Sequence, residues 1–151
     1  MDKDSKFKGV SGLTKLTWWM RIVGTFYLLL FIASAIIKIP ISVLGPEGTL
    51  ALSAAGDDLA MFVVDTWVIL GLAIASVGVG LLIASHAPRQ AKALVWTVIG
   101  FELIWGLGSD MYQLARGYEL QGIGIGIIIH IIIISTGFLA IRNAFRELVK
   151  D

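Results

Sequence analysis

Four ionisable side chains fall inside long apolar stretches of this 151-residue chain: Asp65, Glu102, Asp110 and His130. A charged group at the centre of a membrane-crossing helix costs about 2.5–3.5 kcal/mol on insertion scales, so such groups face other helices and take partners. Glu102 lies about nine residues into one stretch and His130 about eight residues from the outer end of the next, depths of roughly 13 and 12 Å at the rise of an α-helix. Counted from opposite membrane faces, both are near the midplane. The link between the two stretches is short, which makes them antiparallel neighbours. A hydrogen bond between Glu102 and His130 would let each satisfy the other. Two roles are open to such a pair: a buried structural contact, or a site for a ligand or a proton.

Other chemistry has less to stand on. His86 is the other of the chain's two histidines and sits at the cytoplasmic end of the second stretch. The two imidazoles should therefore not meet at one depth, and a bis-histidine haem site within one chain is not expected. His130 with Glu102 offers too few ligands for a metal, so the expectation is no metal and no cofactor. The chain has no cysteine, which removes disulfides, thiolate metal sites and a cysteine nucleophile together. Asp65 and Asp110, each about one turn from the outer end of a span, share a level with Lys38 and Arg116. They read as an outer polar cluster of interfacial ion pairs, or as the mouth of a polar path leading towards Glu102. The glycines of Gly122-Ile123-Gly124-Ile125-Gly126 lie within a span and lack a following Gly-Lys-Ser/Thr, so they form no phosphate loop. No nucleophile elbow or Ser-His-Asp arrangement occurs, and no catalytic residue is expected.

The elements that must hold these residues follow from composition. Hydrophobic residues make up 57% of the chain and charged ones 15%, with a mean hydropathy of +0.86, against the roughly 45–50% apolar content of soluble domains. A soluble domain is excluded. Four blocks are each close to the roughly 20 residues that cross a bilayer as a helix: 18–39, 61–84, 93–114 and 122–141. Pro40 and Gly45-Pro46-Glu47-Gly48 end the first, His86-Ala87-Pro88-Arg89 closes the second, and an extracytoplasmic loop covers 40–60. Within that loop, 49–55 is mildly helical, and Gly56-Asp57-Asp58 breaks it and can cap the next span. The isoleucine-rich run around His130 would suit a strand in a soluble protein. In hydrocarbon a lone strand leaves its amides unsatisfied, so a helix is expected. The fold class is thus an all-α integral membrane protein, a single domain over 1–151, folded as an antiparallel four-helix transmembrane bundle.

Ten of the twelve basic residues, all but Lys38 and Arg116, fall on one side if the spans alternate. The positive-inside bias then puts both termini in the cytoplasm. Trp18 and Trp19 fall at the inner interface, as in an aromatic belt. Small residues at four-residue spacing let helix backbones approach closely: Gly122 and Gly126, with Gly137 further along, on the fourth span, and Ser76, Gly80 and Ala84 on the second. These two faces cannot both be consumed within one bundle, so one is expected to meet another chain. A net charge of +1 gives no basic surface for nucleic acid.

The stretches Trp18-Trp19-Met20-Arg21, Gly45-Pro46-Glu47-Gly48, Val64-Asp65-Thr66-Trp67, Ala93-Leu94-Val95-Trp96-Thr97 and the region from Glu102 to Arg116 resemble the BphX-like (BpdA) family of small bacterial membrane proteins. The resemblance covers residues 17–146. It implies a four-helix inner-membrane protein, found beside genes for breaking down biphenyl and related aromatics, with no established activity and no catalytic residue to carry over. The function expected is therefore a non-enzymatic accessory or scaffold subunit of the bacterial inner membrane, bathed in lipid and packed against a partner or a copy of itself. The alternative is binding or transport of a lipophilic small molecule, aromatic compounds among them. A quinone- or haem-linked membrane subunit is a weaker third.

Overall fold

Buried positions recur at three- and four-residue spacing over much of each long segment, and these segments are helices. The computed structural model describes residues 3–33, 49–117 and 120–148. Helix α1 is Lys3–Phe31, α2 is Thr49–Ala54, α3 is Asp58–Ala84 and α4 is Lys92–Phe101. A π-helical segment, Glu102–Leu107, leads from α4 into α5, Gly108–Ala115, and α6 is Leu120–Leu148. No strand occurs among the described residues, and the isoleucine run on either side of His130 is helical. Helix α1 starts at Lys3, well ahead of the expected first span. The far end of that span, with Lys38 and the Gly45-Pro46-Glu47-Gly48 turn, lies outside the described residues.

Three described helices are long and apolar enough to cross a membrane: Asp58–Ala84, Lys92–Ala115 and Ile123–Arg146. Each buries only between 22% and 33% of its most apolar window. Phe62, Ile69, Ile104, Ile125 and Ile128 are left exposed. In water such surface would drive aggregation; in lipid it is the ordinary outside of a helix.

Two turns follow from local chemistry. Asp57 ends the α2–α3 connection by accepting the Ala60 amide on its carboxylate at 2.8 Å, which satisfies one of the otherwise unpaired donors at the start of α3. Gly56, at φ +88°, and Gly117, at φ +85°, take the left-handed conformation that ends α2 and α5.

Contacts group into two units, Gly24–Gly80 on the one hand and Met1–Val23 with Leu81–Asp151 on the other. In the latter, α6 runs antiparallel to the Lys92–Ala115 helix. The Lys92 ammonium lies over the Phe145 ring, Trp96 meets Phe138 edge-on, and further along the pair Glu102 meets His130. The N-terminal part of α1 also packs antiparallel on α6. A Cβ on Gly12 would sit 2.8 Å from the Asn143 carbonyl oxygen, and one on Gly137 would sit 2.7 Å from the Trp19 ring. Trp19 is buried, and its Nε1–H donates to Thr136 Oγ1 at 3.1 Å. It is therefore a core residue, whereas Trp18, exposed with the Arg21 guanidinium over its ring, has the surroundings of an interfacial aromatic. In the Gly24–Gly80 unit, α1 and α3 meet at Gly78, where a Cβ would lie 2.8 Å from the Gly24 carbonyl oxygen and 3.0 Å from Tyr27 Cβ.

Candidate functional site

Burial along the Lys92–Ala115 helix falls on Val95, Val98, Ile99, Glu102, Gly106 and Asp110, an apolar stripe that turns polar about halfway along the helix. Eight residues of uninterrupted α-helix make a little over two turns and would leave Asp110 about 80° away from Glu102. The π segment between them accommodates about one extra residue per turn and unwinds the helix by roughly 100°, so Asp110 returns to within about 20° of the face of Glu102. Both carboxylates consequently point at α6.

His130 on α6 receives them. Its Nδ1 is hydrogen-bonded to Glu102 Oε2, and its Nε2 lies 3.7 Å from Asp110 Oδ2. Glu102 is almost wholly buried, Asp110 is buried, and the imidazole is partly exposed. Asp110 Oδ2 accepts no hydrogen bond among the described residues. Two glycines make the room. A Cβ on Gly106 would overlap the imidazole, and one on Gly126 would come 3.2 Å from Asp110 Oδ2. Ser109, the neighbour of Asp110, returns its hydroxyl to the Gly106 carbonyl at 2.9 Å.

The residues singled out from the sequence are thus distributed unevenly. Glu102 and His130 are in contact. Asp110, expected at the outer rim beside Arg116, stands instead against His130, because the π segment rotates it there. Arg116 is exposed at the end of α5, and Asp65 is exposed on α3; neither forms an ion pair among the described residues. Lys38 lies outside them. Of the packing positions, Gly126 borders the Asp110 carboxylate and Gly137 seats Trp19, while Gly122 lies in α6 with its surroundings outside the described residues. On α3, Ser76 is exposed and returns its hydroxyl to the Leu72 carbonyl at 2.9 Å. A Cβ on Gly80 would meet nothing within 4 Å. Close packing of α3 goes through Gly78, two residues away. Gly78 and Gly106 were not singled out by spacing; for Gly106 the available signal was its place four residues after Glu102, on the same helix face.

An imidazole between two carboxylates holds and exchanges protons; it offers no activated nucleophile. Among the described residues no group of three or more histidine and acidic side chains has the arrangement to hold a metal ion.

A model of the BphX-like family matches residues 13–146. Two proteins with the name uncharacterized BphX-like protein, from Burkholderia cepacia and Paraburkholderia xenovorans, are each 27% identical to this chain over 124 residues, covering 80% of it and 86% of their own length. No solved structure matches.

Proposed function

The chain belongs to the BphX-like family, and from that premise we propose that it is a four-span protein of the bacterial inner membrane with both termini in the cytoplasm, acting as a non-enzymatic accessory or scaffold subunit. On this reading the chain folds as one antiparallel four-helix bundle, with residues 40–60 outside. The positions of ten of the twelve basic residues support that orientation.

One observation carries the association. On α3, Ser76 is exposed, and Gly80 has open space where a Cβ would point, while Gly78 two residues away is closed against α1. A helix with small residues four apart on an open face can approach a second helix closely, and close approach is what holds helices together in lipid. The partner is another copy of the chain or another membrane protein.

The chain's lack of cysteine makes the test clean. Ser76→Cys should cross-link to a second chain in native membranes under oxidation or with a thiol reagent, and adding Gly80→Leu should remove the product. A chain found only as a monomer, with no partner at higher mass, would overturn this function and favour binding of a lipophilic small molecule. Reporter fusions check the orientation separately: those at Arg89 and Lys150 should read cytoplasmic and one at Leu52 outside.

A further inference from the structure

The Asp110 carboxylate is buried, its Oδ2 has no hydrogen-bond donor among the described residues, and it sits 3.7 Å from an imidazole nitrogen whose ring is already engaged on its other side. That combination sets a proton count. The Glu102–His130 bond contains one proton, whichever partner carries it. If His130 is otherwise neutral, its Nε2 and Asp110 Oδ2 face each other as two acceptors, and the cluster carries two negative charges in hydrocarbon. One further proton turns this contact into a hydrogen bond and halves the charge.

We propose that the Asp110–His130 contact is an intramembrane proton-binding site, loaded from the end of the helix at Ala115. In loading, an O–H bond of hydronium breaks, an O–H bond forms on Asp110 Oδ2, and a water molecule is released. The proton is then shared with His130 Nε2, which lies about half an ångström beyond hydrogen-bonding range in the unloaded geometry. Access comes from the Ala115 side because Asp110 is five residues from that end, roughly 8 Å along the axis, whereas Glu102 lies deeper. On α6 the facing position is Gly126, whose missing side chain leaves the carboxylate its room. Among the described residues, the charged groups that face Asp110 are His130 from α6 and Glu102 from its own helix. Arg116, six residues on, is exposed and forms no ion pair among the described residues. This site does not depend on association with another chain.

Infrared difference spectra between acidic and alkaline pH, taken on the full chain in lipid nanodiscs, test it. A protonated-carboxyl stretch should titrate in the wild type, disappear in Asp110→Asn and persist in Asp65→Asn. The absence of that band, or its survival in Asp110→Asn, would overturn the proposal. Because Asp110→Asn can fail by misfolding, a second readout leaves the site intact. In a His86→Gln background with ¹⁵N-labelled histidine, the His130 imidazole signal should move at the pH where the carboxyl band appears. An imidazole signal that stays still at that pH would overturn the shared proton. Loss of the band on adding sodium at constant pH and ionic strength would make this a metal-cation site and equally overturn it.

Discussion

The imidazole of His130 occupies the space that a side chain on Gly106 would need. A Cβ there would overlap the ring, and the same ring is held by Glu102 one turn earlier on the facing helix. Glycine at 106 is therefore a condition of the Glu102–His130 contact.

Gly106→Ala should force the imidazole away from Glu102. Overpacking a close contact costs typically 1–3 kcal/mol, to which the loss of a buried hydrogen bond adds. The control is Gly100→Ala on the same helix, where a Cβ meets nothing within 4 Å. Alanine is favoured over glycine in a helix by about 0.5–1 kcal/mol, so that variant should melt at or above wild type. Thermal unfolding in one detergent compares the two, and equal melting temperatures would show that the ring does not depend on the glycine.

A second pair of glycines should split in the same way. Gly78→Ala places a methyl group 2.8 Å from the Gly24 carbonyl oxygen, and backbone cannot swing aside as a side chain can. Gly80→Ala, two residues away, meets open space. The first should lower the melting temperature of the chain and the second should leave it unchanged or raise it. Reversal of that order would mean that α3 packs through its other face.

What could be read from the sequence divides along physical lines. The three described spans are legible because length and apolar content alone decide what can cross a bilayer, and the link before α3 is legible in Gly56 and Asp57. The shared depth of Glu102 and His130 follows from a helical rise that hardly varies. The place of Asp110 does not, because an α-helical count leaves it about 80° from Glu102, and nothing local in Glu102–Leu107 announces a π segment. Trp19 has the composition of a belt residue; only its partner, the bare backbone at Gly137, makes it core. Gly78 was hidden by a more regular stripe beside it, since Ser76 and Gly80 fit the four-residue spacing and Gly78 does not.

The Glu102–His130 bond should behave as a pair rather than as two separate groups. Glu102→Ala leaves an imidazole near the midplane without its first partner, and His130→Ala leaves a carboxylate there. Each should destabilise the chain more than the double change Glu102→Gln with His130→Asn, which retains two uncharged groups able to hydrogen-bond. Inter-helix hydrogen bonds in membranes contribute about 0.6–2 kcal/mol, so the coupling should fall within that range. Asp110 gives the cycle an internal check. With His130 gone, its carboxylate loses the imidazole 3.7 Å away, so Asp110→Asn should cost less in the His130→Ala background than in the wild type. Unfolding free energies for these variants, measured under one set of detergent conditions, decide the matter. Strict additivity would mean that the three side chains share a depth but not a network.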